Sequence, residues 1–207
     1  MKVRIRHRGV EDYSQVWAEM RRFTAERDDE TPDEFWVLEH SPVYTLGLNG
    51  DPQHVLRPVD TAVIRSDRGG QVTYHGPGQL IVYALVNLAR QKRSVSGLVS
   101  ALDRSVLHLL AQYGLKAATR AGAPGVYVDG RKIASVGLRI RRGCSYHGLS
   151  LNVDLDLTPF SAIHPCGYKG LEMTRLVDLG VNVRCREPVA PLLLQLMQEL
   201  DYREVIR

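Results

Sequence analysis

An Asp-Gly pair at residues 129–130 divides two strand-like runs, Gly125-Val126-Tyr127-Val128 and residues 131–140. Asp-Gly suits the positive backbone angles of a two-residue hairpin, so this stretch commits the chain to antiparallel pairing. Further strand-like runs lie at 2–6, 35–38, 43–46, 62–65, 71–75, 79–88 and 145–153. A loop rich in Gly, Asn, Asp and Pro occupies 48–58. Helical periodicity is confined to three segments. Asp12 is placed to cap a helix over 13–27. Leu98, Leu102, Val106, Leu109 and Tyr113 form one apolar face over 96–113, and Gly114 stops that helix. Pro188 opens a last helix through Leu192, Leu196 and Leu200. Strands outnumber helices and come in hairpin-like runs. The expectation is an α+β fold, with a mixed, largely antiparallel sheet and helices packed on it. The 207 residues carry no internal repeat and suit a single catalytic-sized domain over 1–207.

Composition excludes several classes. No apolar run is long enough to span a bilayer, and the alternating charges of the first six residues do not make a secretory signal. A cytoplasmic protein without membrane attachment is expected. The three cysteines, Cys144, Cys166 and Cys185, are odd in number and form no C-x-x-C pair, which argues against a disulfide framework or a structural zinc site. The net charge of +4 favours acidic partners. The basic residues are scattered except at Arg139-Ile140-Arg141-Arg142, a segment that suits an acidic carrier protein better than nucleic acid.

Four segments concentrate reactive or permissive residues. In Arg68-Gly69-Gly70-Gln71-Val72-Thr73-Tyr74-His75, followed by Gly76-Pro77-Gly78, glycines allow sharp bends and close ligand approach. The segment is neither a Walker A loop nor a dinucleotide loop, since it lacks both signatures. In Lys132-Ile133-Ala134-Ser135-Val136-Gly137-Leu138, strict strand alternation puts Lys132 on one face with Ala134, Val136 and Leu138. Lysine is scarce in this chain, occurring only at positions 2, 92, 116, 132 and 169. Lys132 either snorkels to water or is a desolvated amine able to exchange protons. Tyr146-His147-Gly148-Leu149-Ser150 carries a histidine and a glycine that signals close backbone approach. Finally, His164-Pro165-Cys166-Gly167 sets a thiol between two residues that build neither strand nor helix, which favours a loop facing a cleft.

Taken in order, R-G-G-Q-V-T-Y-H-G-P-G-Q, G-R-K-I-A-S-V-G-L, Y-H-G-L-S-L-N-V and P-C-G resemble the lipoyl(octanoyl) transferases of lipoate biosynthesis. The resemblance spans residues 35–176 and implies a fold similar to the catalytic domain of biotin and lipoate protein ligases. It implies transfer of an octanoyl group from octanoyl-acyl carrier protein to one lysine of a lipoyl domain. The acceptors implied are 2-oxo acid dehydrogenase complexes and the glycine cleavage H protein. Cys166 would carry the acyl thioester and Lys132 would be its partner in proton transfer. Arg68 to His75, Ser135 to Gly137, and Gly148 to Ser150 would bind substrate. No metal or cofactor is implied, and a monomer is expected. Family members commonly have Asn before P-C-G where this chain has His164, so His164 stands as a further candidate for moving protons, and His75 is left open as another. The alternative is an ATP-dependent lipoate or biotin-type ligase, which needs no cysteine.

Thioester exchange is nearly balanced and thioester-to-amide transfer is downhill, so neither step calls for ATP. An octanoyl tail needs an apolar slot. At about 0.8 kcal/mol per buried CH₂ it supplies on the order of 5 kcal/mol. Val72, Tyr74, Val136 and Leu138 are the expected walls.

Overall fold

The computed structural model describes residues 1–57 and 60–206; Pro58, at the end of the expected loop, lies outside the described residues with Val59 and Arg207. β1 (Lys2–Glu11) leads into α1 (Tyr13–Glu26), whose N-cap Asp12 accepts a hydrogen bond from Gln15 N at 3.0 Å. β2 (Asp33–His40), β3 (Val43–Leu46), β4 (Val63–Arg65), β5 (Val72–His75) and β6 (Gln79–Leu85) follow. After them comes α2 (Val95–Gln112), capped by Ser94, which accepts from Gly97 N at 3.1 Å. β7 (Ala118–Arg120), β8 (Ala123–Val128), β9 (Arg131–Arg141) and β10 (Cys144–Asn152) precede α3 (Val189–Glu199) and β11 (Glu204–Ile206).

Eight strands form one sheet in the order β11-β1-β2-β6-β10-β9-β8-β7. β1 runs parallel to β11 and β2, and every other neighbouring pair is antiparallel. The expected mixed, largely antiparallel sheet is therefore found. A separate three-stranded sheet, β4-β3-β5, was not foreseen.

Each face of the large sheet is covered by the helical stripe that its pattern requires. Leu98, Leu102, Val106 and Leu109 of α2 and Leu192 and Leu196 of α3 are fully buried on one face, against Val82, Leu149 and Ile133. Burying each such side chain is worth about 1.5–3 kcal/mol. The other face takes Val16 and Met20 of α1 against Trp36, Ile81, Tyr83 and Tyr146. The small sheet buries Tyr44, Leu46, Val72 and Tyr74 against Phe160 and Ile163. It leaves a space between itself and the large sheet. Among the described residues, no helix is long and apolar enough to cross a membrane.

Strand alternation fails at one decisive point. Val126 pairs with Ala134 but the next residue, Tyr127, pairs with Lys132, so β9 carries one extra residue, a β-bulge at Ile133. Ile133 and Ala134 both join the helix-side core, with Val136 and Leu138 packed against it. The expected grouping of Lys132 with Ala134, Val136 and Leu138 is thereby corrected. The bulge resets the phase, and Lys132 shares the opposite face with Ser135 and Gly137.

Candidate active site

That opposite face looks into a cavity of about 200 Å³ between the large sheet and the small one. Lys132, only 2% exposed, projects into it. Its backbone is held on the outer side as well. Lys132 N–H donates to Glu172 O and Thr174 N–H donates to Lys132 O, each at 2.9 Å. The chain leaving the P-C-G turn is thus laced to the very residue that the turn must face.

Pro165–Gly167 forms a single tight turn in which Cys166 adopts φ 56°, ψ 18°. Few non-glycine residues occupy this left-handed region, and such outliers gather at functional sites. The result is that Lys132 Nζ donates a hydrogen bond to Cys166 Sγ at 3.1 Å. Cys144 and Cys185 are buried elsewhere, and burial pushes both thiols up.

The glycine-rich loop closes the cavity. Gly69 N–H donates to Leu138 O at 2.9 Å, which docks the loop across β9. Arg68 is largely occupied in holding this shape. Its Nε donates to Thr45 Oγ1 at 3.0 Å, its Nη2 to Thr45 O at 2.6 Å and to Gln71 O at 2.7 Å, and its Nη1 to Gly69 O at 2.9 Å. The guanidinium therefore acts as a clamp on the loop rather than as a free anion receptor. Gly148 answers a different need: a Cβ there would collide with Val82 O, so close strand approach demands glycine.

Of the residues picked out in the sequence, 68–73, His75, Lys132, 135–137, 148–150 and Cys166 all line this one cavity. Tyr74 does not. Its ring packs against Tyr44 and Phe160 in the small sheet's own core. Of the expected tail-slot walls, Val72 lines the cavity and so does Val136, which also packs against the helix-side core, whereas Tyr74 and Leu138 stand outside it. His164 is also outside the lining, with its ring 5.8 Å from that of His54. Tyr13, Ile81, Tyr83, Ala123, Pro124, His147 and Tyr168 complete the walls and were not singled out as binding residues. Ile81 and Tyr83 alternate with core residues on β6, a signal that a topology would have turned into a wall. Tyr13, one residue past a helix cap, carries no local signal.

The inner wall is mainly aromatic. Tyr13 stacks on His75 and His147, with ring centroids 6.0 and 6.5 Å away. His75 Nδ1 meets Gln79 Oε1 at 2.6 Å and its Nε2 meets Thr45 Oγ1 at 3.3 Å, so both ring nitrogens are engaged. Burial, reinforced by His40 and Arg68, holds His75 down at about 3. Burial likewise lowers His40 to about 4 and lowers His147. His147 Nε2 lies 2.9 Å from Asp67 Oδ1. Asp67 also accepts from Trp17 Nε1 at 2.8 Å and from Tyr146 Oη at 2.5 Å. Burial works to raise that carboxyl, but the hydrogen bonds from His147 and Tyr146 outweigh it and hold Asp67 well below the usual carboxylate range. A neutral histidine near pH 7 with both nitrogens occupied is a poor proton carrier, so His75 is a wall rather than a base.

The arrangement is a thiol and an amine in contact at the mouth of an apolar slot. The matches to known proteins agree with it. The model of the lipoyl protein ligase A/B catalytic domain family matches residues 12–197. An octanoyltransferase of Methylococcus capsulatus is 57% identical over 201 residues, 97% of each chain. One from Alkalilimnicola ehrlichii is 58% identical over 179 residues, 86% of this chain and 83% of that one. Among solved structures, a lipoate-protein ligase A bound with ATP superposes with a TM-score of 0.78 at 16% identity, covering 100% of this chain and 90% of that one. A biotin protein ligase from Aquifex aeolicus reaches 0.59 at 15% identity, over 97% and 70%. These last two share the fold. With nearly its whole length matched and relatives above half identity, the chain belongs to the lipoyl protein ligase A/B catalytic domain family.

Proposed function

We propose that this protein is an octanoyltransferase. It takes an octanoyl group from octanoyl-acyl carrier protein onto Cys166 and passes it to the ε-amine of a lysine on a lipoyl domain. The observation that carries this reading is the 3.1 Å contact between Lys132 Nζ and Cys166 Sγ. In the first step the Cys166 thiolate, paired with the Lys132 ammonium, attacks the donor thioester carbonyl. The tetrahedral intermediate expels the carrier's thiolate, which takes a proton from Lys132. Neutral Lys132 then accepts a proton as the acceptor amine attacks the Cys166 thioester. Collapse returns the Cys166 thiolate and the Lys132 ammonium. Each proton that leaves one partner is accounted for at Nζ.

The acyl tail occupies the largely apolar slot toward Tyr13, Tyr83 and His147. Acceptors are lipoyl domains of 2-oxo acid dehydrogenase complexes and the glycine cleavage H protein. The whole chain acts as one catalytic domain, monomeric and cytoplasmic.

An ATP-dependent ligase on the same fold would need neither the thiol nor its contact with Lys132. The test is octanoyl transfer to a lipoyl domain with ATP withheld and with Cys166→Ser as control. Transfer by the parent protein alone supports the reading. Transfer that requires ATP and free octanoate, and survives Cys166→Ser, contradicts it.

A further inference from the structure

A second cavity of about 470 Å³ adjoins the one at Cys166, and the two share Ala123 and Tyr168 in their walls. At the junction the Tyr168 hydroxyl donates to Gly122 O at 2.8 Å, bridging the P-C-G turn to the loop before β8. The second cavity is lined by three cations, Arg120, Arg131 and Lys169, and two carboxylates, Asp129 and Glu172. None of the five forms an ion pair among the described residues.

Its position relative to the thiol is fixed by one ring. The Arg120 guanidinium sits 4.5 Å from the centroid of Tyr127, and Lys132 Nζ sits 5.5 Å from the same centroid. The two charges therefore lie on the order of 10 Å apart or less, about one Debye length at physiological ionic strength. Lys132 in turn touches Cys166. A line of positive charge runs from the reacting sulfur to the second cavity.

We propose that the second cavity receives the phosphate end of the donor's thioester arm, with Arg120 and Lys169 meeting the phosphodiester. The proposal rests on the transferase reading above. A carrier protein presents its acyl group on a phosphopantetheine arm. Extended, that arm spans roughly 15 Å from sulfur to phosphorus, by the reach of a peptide chain of equal bond count. With the thioester carbonyl at Cys166 and the tail in the apolar slot, an arm leaving past Tyr168 and Ala123 enters the second cavity. Its phosphate then falls within reach of Arg120, whose planar fork suits a phosphate. The arginines at 139–142 do not meet this requirement. Arg141 stands nine residues along β9 from Lys132, about 30 Å at a strand's rise per residue.

The test compares acylation of Cys166 in the full chain by octanoyl-4′-phosphopantetheine and by octanoyl-pantetheine, which lacks the phosphate. Parent protein should prefer the phosphorylated donor on the order of tenfold in kcat/KM, as one charge-assisted contact allows. Arg120→Gln should bring that ratio toward one, mainly through KM, and leave the neutral donor unaffected. Lys169→Gln should do the same to a smaller degree, and serves if Arg120→Gln disturbs Tyr127. An unchanged preference in both variants overturns the proposal, as does equal loss with both donors. Equal use of the two donors by the parent also overturns it while leaving the transferase reading intact. No acylation by either donor overturns the transferase reading itself.

Discussion

A Cβ on Gly125 would come within 2.7 Å of Lys132 Cε and would also collide with Ala134 O. Gly125 has φ 117°, outside the range that side chains tolerate. The bulge in β9 and the missing side chain at Gly125 are thus two halves of one device. One turns Lys132 toward the cavity, and the other makes room for its stem.

Gly125→Ala is therefore expected to displace Lys132 from Cys166. Transfer should fall by roughly 10²-fold, the scale of a misplaced proton carrier. Backbone strain should cost about 1–3 kcal/mol, readable as a lower Tm. A variant with full activity would separate Gly125 from the placement of Lys132.

Lys132 has two tasks, and two substitutions separate them. Lys132→Ala removes both the cation beside the thiolate and the proton acceptor, so acylation and transfer should each slow by about 10²–10⁴-fold. Lys132→Arg keeps the charge but cannot give up its proton near neutrality. Single-turnover measurements should find acylation of Cys166 partly retained and release to the lipoyl lysine lost. Equal loss of both steps in the arginine variant would assign proton transfer to another group.

The buried histidines should make stability fall in mild acid. His75 titrates at about 3 in the fold against an ordinary 6.5. Below pH 6.5 the unfolded chain takes up a proton that the folded one refuses, so stability is lost as pH falls from 6.5 toward 3. Between pH 7.5 and pH 5, His75 alone accounts for about 2 kcal/mol. Urea titrations at the two pH values should show this drop, and His75→Gln should shrink it by that amount. Equal drops in parent and variant would mean that His75 takes up its proton without leaving its place.

The local signals in the sequence read correctly because they depend on neighbours only. Asp129 and Gly130 adopt φ 49° and 79° in the hairpin, Asp12 caps α1, and Leu98, Leu102, Val106 and Leu109 are all buried. What alternation alone misread was the face of Lys132, because a bulge depends on how β8 pairs and leaves no trace in a period of two. β7 and β11 are three-residue edge strands, mostly exposed, with too little apolar pattern to be noticed. The segregation of β3, β4 and β5 into their own sheet follows from long-range pairing.

In the site, the motifs marked most of the walls because glycine-rich backbone announces close approach. Tyr74 belongs to the same motif but alternates away, into the core of the small sheet. Arg68 was expected to bind substrate, and although it lines the cavity its donors hold Thr45, Gly69 and Gln71. Tyr13 and Tyr83 reach the slot from α1 and β6, and only the assembled layers bring them there. The contact between Lys132 and Cys166 crosses 34 residues and depends on the strained turn at Cys166.

The most direct test of the central claim is peptide-resolved mass spectrometry of the protein mixed with an octanoyl thioester donor, without ATP, before and after a lipoyl domain is added. One octanoyl group is expected on Cys166, disappearing as the lipoyl domain gains the same mass on a single lysine. Octanoylation of the lipoyl domain with no adduct on Cys166 at any time, and at an undiminished rate in Cys166→Ser, would contradict it.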